Sequence, residues 1–200
     1  MIEQDYQIVI DSTGKPYLDA EQRLISQGGT ADSFLREKLG QADPQARRII
    51  QIILEWLSEN ETFVAVMDYF KRVEKRASTT AMRVPPADGV ATYLAQNFGK
   101  SAAELLGVYL LKLFPIWPKW QTSGVILYFG KLDSSASAET LIRLIVTTPN
   151  DSYRQLAVTS LVAVGDENVL DKIEDQLNFM ALPQNALQQA AKQIRESTET

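Results

Sequence analysis

Two hundred residues, 45% apolar and 22% charged, have an ordinary globular composition, enough for one sizeable core or a short stack of repeats. A formal net charge of −5 opposes sequence-independent nucleic-acid binding, which needs a cationic face to displace counterions. The chain has no cysteine and no histidine. That excludes disulfides, thiolate nucleophiles, Ser-His-Asp and Cys-His catalysis and the commonest transition-metal ligands, leaving carboxylate, Lys, Tyr and Ser/Thr chemistry.

The opening residues, MIEQDYQIVIDSTGK, are acidic and lack the basic and apolar regions of a signal peptide, so a cytoplasmic location is expected. The longest apolar patches, Leu105–Phe114 and Gly124–Phe129, fall well short of the roughly 20 residues that cross a bilayer, so no membrane span is expected. Tyr6–Ile10 is a β-prone run closed by the turn-like Asp11–Pro16, and residues 1–16 read as a short extended arm.

From Tyr17 the helical period takes over, and 17–197 reads as one all-α domain. Leu18, Leu24 and Ile25 predict a helix stopped at Gly28-Gly29. Thr30 or Asp32 is placed to cap the next, which carries Phe34, Leu35 and Leu39 and ends at Gly40. Pro44 opens a helix to Ser58, with Ile49, Ile50, Ile53, Leu54 and Leu57 at i, i+3, i+4 spacing. Glu61–Ala77 is another, with Phe63, Val66, Met67, Phe70 and Val73 on its apolar side. Val84-Pro85-Pro86 forbids its continuation, and 78–86 fits either a boundary between two halves or a loop within one domain.

Val90–Phe98 and Ala102–Phe114 form an expected helical pair around Gly99-Lys100-Ser101. Phe114–Trp120 breaks the period, and a helix resumes at 117–119 towards Gly130. Ala138–Leu177 holds three amphipathic patterns parted by Pro149-Asn150-Asp151 and Gly165-Asp166. Pro183 starts a last helix through Leu187, Ala190, Ala191 and Ile194. Glu196–Thr200 is expected to be disordered, with 198–200 as a tail.

Aligning Asp43-Pro44-Gln45-Ala46-Arg47 with Asn150-Asp151-Ser152-Tyr153-Arg154 sets Ile50 against Ala157, Leu54 against Leu161 and Leu39 against Val146. Each copy has a helix, an acidic turn and an Arg in the next helix. These residues resemble HEAT-like repeats, a family of paired helices stacked into a solenoid. The resemblance covers Thr30–Ser58 and Ser123–Ser197. It implies a short right-handed α-α superhelix that binds a partner on its surface; an irregular helical bundle is the alternative. Arg47 and Arg154 are expected to pair with the turn acids Asp43 and Asp151.

The densest aromatic cluster is Tyr109, Phe114, Trp117 and Trp120, with Lys119 among them. It reads either as a core wedge at a junction or as a recognition surface, since Trp and Tyr dominate many interfaces. Lys71, Arg72, Lys75 and Arg76 are a basic run that fits an acidic partner or a solvated helix end favoured by the macrodipole. Asp171 and Asp175 share a face within an acidic hairpin, but no metal ligand set is read there. No phosphate-cradling, dinucleotide or zinc-protease motif is present. The expectation is a non-enzymatic scaffold or adaptor that binds another protein, with no cofactor and no nucleic acid. HEAT-like relatives also imply, as an alternative, a carrier or lyase-like protein for a small aromatic ligand of tetrapyrrole type, held by Tyr109, Trp117, Trp120 and Tyr128.

Overall fold

The computed structural model describes residues 1–58, 61–79, 86–132, 135–179 and 185–198, and the backbone alone at 63, 76–79, 135–136 and 178–179. Among the described residues the regular structure is entirely helical. In chain order the helices are α1 (Ile2–Asp11), α2 (Lys15–Ser26), α3 (Gly29–Leu39), α4 (Pro44–Leu57), α5 (Glu61–Thr79) and α6 (Ala87–Phe98). A 3₁₀ turn (Gly99–Ala102) follows, then α7 (Ala103–Leu113), α8 (Lys119–Phe129), α9 (Ser135–Thr147), α10 (Asp151–Ala163), α11 (Glu167–Phe179) and α12 (Asn185–Thr198). None of them is long and apolar enough to cross a membrane.

The chain divides into two compact units. One is Met1–Met82 with Glu104–Trp117, the other Arg83–Ala103 with Pro118–Thr200. The division at 82–83 falls inside the stretch where the prolines stop the helical period, although 80–85 lie outside the described residues. The later crossings send α7 back to the first unit.

The expected extended arm is a helix. In α1, Ile2, Tyr6, Val9 and Ile10 are covered and Asp5 is buried, a spacing that puts one stripe on the core. Tyr6 meets Phe34 edge-on at 5.6 Å, and Arg23 holds Asp5 at 2.8 Å. A helix satisfies its own backbone groups whereas a lone strand does not, so packing overrides the β preference of Ile8-Val9-Ile10.

Other local expectations meet the structure unevenly. Asp43 caps α4, its carboxylate accepting from the amides of Gln45 and Ala46 at 2.8 and 3.0 Å, with Pro44 in the first turn. Neither Thr30 nor Asp32 caps α3, which starts at Gly29 after Gly28 at φ +53°; Asp32 instead pairs with Arg36 one turn on at 2.8 Å. At the far end α12 runs to Thr198, so Glu196–Thr198 is helical rather than a disordered tail, and 199–200 lie outside the described residues.

The two similar hairpins fall in different units, α3 against α4 in the first and α9 against α10 in the second. Their turns share chemistry. Asn150, aligned with Asp43, caps α10 by accepting from the Tyr153 amide at 3.1 Å. Arg154 donates to the carbonyls of Ile145 and Thr148 and pairs with Asp151. Arg47 donates to the Ala42 carbonyl at 3.3 Å, so it binds its turn through the backbone.

In the second unit α6 packs on α8, whereas α7, its expected partner from the sequence, belongs to the first unit. Gly124 is the reason the two helices come so close. A Cβ there would lie 2.5 Å from Cγ1 of Val90 and 2.7 Å from its Cβ, both fully buried. Gly124→Ala should therefore cost about 1–3 kcal/mol by overpacking, and Val90→Ala in the same chain should recover part of it. Urea unfolding of the single and double variants measures this; equal losses in both would show that the contact with Val90 is not the source of the cost.

Candidate functional site

The most unusual chemistry lies in the core of the first unit. Tyr17, Ala20, Glu21 and Leu24 form the buried stripe of α2, so a carboxyl sits where the helix turns its apolar face inward. Glu21 is 3% exposed. Its Oε1 accepts from the Tyr17 hydroxyl one turn back and from the Tyr109 hydroxyl of α7, both at 2.8 Å. The Tyr109 oxygen in turn accepts from the indole N–H of Trp56 on α4. Three helices distant in sequence, α2, α7 and α4, are thus joined in one chain of hydrogen bonds.

Burial pushes the Glu21 pKa up to about 7 from an ordinary 4.5, against the opposing pull of the hydrogen bonds from Tyr109 and Tyr17. Burial also raises both tyrosines well above their usual value, and the neighbouring Glu21 charge adds to it. The tyrosines are therefore neutral donors, and the carboxyl is the group that changes state near neutral pH.

A second buried polar group secures the same helix. The ammonium of Lys112, on a residue 5% exposed, donates to the carbonyls of Ile10 and Ser12 at 2.7 and 2.8 Å and lies 5.4 Å from the Tyr17 ring centroid. Those carbonyls end α1, where a cation meets the negative end of the helix dipole. Gly14, at φ +69°, returns a backbone bond to the Lys112 carbonyl at 2.6 Å.

Trp56 connects this core to the surface. It is half-buried, and with Ile25, Glu61, Val64, Ala65 and Asp68 it lines an open groove of about 730 Å³ on the first unit. A second open depression shares Ala65 and Asp68 with it and is lined further by Lys71, Arg72 and Lys75. Val64 is 38% exposed, one of only three large apolar side chains to stand in solvent among the described residues.

The sequence-derived candidates separate in this frame. Tyr109 is 2% exposed and belongs to the carboxyl network. Trp117 is half-buried and lies against Phe70 and Tyr109, at 6.0 and 6.4 Å between ring centroids, so it packs as a wedge in the first unit. Phe114 is half-buried in the same unit. Lys119 is exposed and Trp120 half-buried at the start of α8, in the second unit. Tyr128 is buried there too, its hydroxyl donating to the Gly99 carbonyl. Lys71, Arg72 and Lys75 are exposed along the adjoining depression, and the Arg76 side chain lies outside the described residues.

On the acidic hairpin, Asp166 accepts from the Val169 amide and Glu174 pairs with Arg195. Among the described residues no three acidic side chains converge in a way that could hold a metal ion. Glu21, Trp56 and Lys112 were not singled out from the sequence. Glu21 did carry a signal there, as a lone acid within the stripe Tyr17, Ala20, Leu24.

The network makes a pH prediction. A neutral Glu21 suits its site, so the stability it confers is fully present below about pH 4.5 and is lost as pH rises through about 7. The span corresponds to about 3 kcal/mol. Glu21→Gln keeps an acceptor for both tyrosines without the charge. Relative to the unsubstituted chain it should gain about 2–3 kcal/mol at pH 8 and little at pH 4.5. Denaturant unfolding at the two pH values reads this difference, and equal effects at both would refute it. Lys112→Met keeps the stem but strands two carbonyls, and should cost about 2–4 kcal/mol by the same measurement; a loss under 1 kcal/mol would mean water replaces the ammonium. The chain matches no protein-family model, no curated protein and no solved structure.

Proposed function

We propose that this protein is a non-enzymatic interaction module, built of HEAT-like helical hairpins, that takes a helical segment of a protein partner along α5. The observation that carries this reading is the groove beside that helix. It has apolar walls in Ile25, Trp56, Val64 and Ala65 and charges in Glu61 and Asp68, and the adjoining depression adds Lys71, Arg72 and Lys75. A central apolar strip with a polar edge is how an amphipathic helix is received.

The HEAT-like part of the proposal is supported by the matched turns, where Asp43 and Asn150 cap the second helix and Arg47 and Arg154 bind the turn carbonyls. A non-enzymatic role fits the buried carboxyl. Glu21 is enclosed by Tyr17 and Tyr109, and the groove meets this network only through Trp56. An acid placed so can tune a surface but does not touch what lies on it. The aromatic-ligand alternative gains no comparable support, because Tyr109 and Tyr128 are each buried with the hydroxyl engaged.

A photo-crosslinking amino acid at position 64 of the full chain tests the reading in cells. Discrete covalent adducts are expected, and they should be lost when Val64 carries the label in a Lys71→Glu/Lys75→Glu background. Absence of any adduct, or the same adducts from a label on exposed Lys192, would sink it.

A further inference from the structure

The exposed stripe of α5 carries its own complement. Glu61, Val64, Ala65, Asp68, Lys71, Arg72 and Lys75 recur every three or four residues, so they share one face, opposite the buried Val66, Tyr69, Phe70 and Val73. Along that face Glu61 comes first, then Val64 and Ala65, then Asp68, and the cations Lys71, Arg72 and Lys75 last. A second α5 laid antiparallel on the first, about a two-fold axis at Asp68, puts Glu61 opposite Lys75 of the second copy. The same register sets Val64 opposite the stem of Arg72 and Ala65 opposite Lys71. The two Asp68 carboxylates meet near the axis, each flanked by Lys71 and Arg72 of the other copy.

We propose that the occupant of this groove is α5 of a second copy, giving an isologous two-fold dimer. The proposal rests on the preceding reading of the groove as an interaction surface and names its partner. Two-fold symmetry uses every complementary pair twice, which is why one helix with acid at its start and base at its end can serve as both halves. The helix macrodipole favours the same charge order, so charge alone would be a solvated face. What adds a partner is the apolar content, with Val64 38% exposed and Ile25 and Trp56 along the wall beside it. Exposed ion pairs contribute little each, so the dimer is weak, reversible and salt-sensitive, and the pairs set its register more than its strength.

Sedimentation of the purified full chain over a wide concentration range tests this. The chain should pass reversibly from monomer to dimer. Glu61→Lys and Lys75→Glu should each weaken dimerisation about tenfold or more, and the two together should restore it. Both side chains are exposed, and circular dichroism checks that each variant is folded. A second measurement uses the absence of cysteine from the chain. Asp68→Cys, on the axis, should oxidise to a disulfide-linked dimer, while Lys172→Cys, on α11, should not. A monomer at every concentration, or a dimer indifferent to both reversals, overturns the proposal. Adducts from position 64 to a different protein, with Asp68→Cys staying monomeric, would also overturn it while leaving the interaction-module reading intact.

Discussion

The first unit depends on two polar anchors that a hydrophobic core would ordinarily avoid. Tyr109 and Lys112 lie one turn apart on α7, and both are buried. One delivers a hydroxyl to Glu21, the other an ammonium to the end of α1. Apolar burial is non-directional and would accept α7 in many orientations. A buried carboxyl and a buried ammonium accept very few, because an unmatched polar group in the interior costs more than a matched one gains. α7 is therefore held at a definite rotation and depth among helices some ninety residues away in the chain.

The same constraint explains where the sequence misleads. Val90–Phe98 and Ala102–Phe114 look like a hairpin, being adjacent, amphipathic and joined at Gly99. Adjacency is the usual guide to pairing. Here α6 finds a better partner in α8, since Gly124 lets Val90 approach to a distance that no side chain would allow. Nothing local marks that glycine as a contact. The arm at 1–16 misleads differently: Ile8, Val9 and Ile10 favour a strand by type, yet Ile2, Tyr6, Val9 and Ile10 form a helical stripe that counts only once α2 and α3 are there to receive it. Periodicity and capping, by contrast, are local. Pro44 after Asp43, the run from Ile49 to Leu54, and the break at Pro149-Asn150 could all be read directly, and they locate α4 and α10 closely. For the candidate site the exposed basic run of α5 was legible and the carboxyl network was not, because its members come from α2, α4 and α7.

The two hairpins show how far similarity of turns extends. Asp43 and Asn150 perform one task, offering an oxygen to the first amides of a helix, and the Arg four residues on ties the turn together through its carbonyls. The partner of each Arg differs, since Asp151 occupies the position that Pro44 holds in the first copy. A carboxylate is added where a pre-set φ is lost. Both arrangements favour the helix start, one through the backbone angle and one through charge near the positive end of the dipole.

Trp56 links the interior of the first unit to its surface. Its ring forms part of the groove and its N–H ends the chain of bonds that starts at Glu21. The carboxyl holds its proton up to about pH 7, so its charge state is settled near the conditions in which proteins work. Ionisation strengthens the bonds donated by both tyrosines, and the polarised Tyr109 hydroxyl becomes a better acceptor for the indole. Linkage is reciprocal: a ligand in the groove that binds one protonation state of Glu21 more tightly would shift the carboxyl's proton affinity by the same factor. A buried acid is costly to retain in a core, and leucine could fill the same space. A carboxyl tied through Tyr109 to a groove-lining tryptophan does what leucine could not: it runs one chain of hydrogen bonds from the interior to the surface.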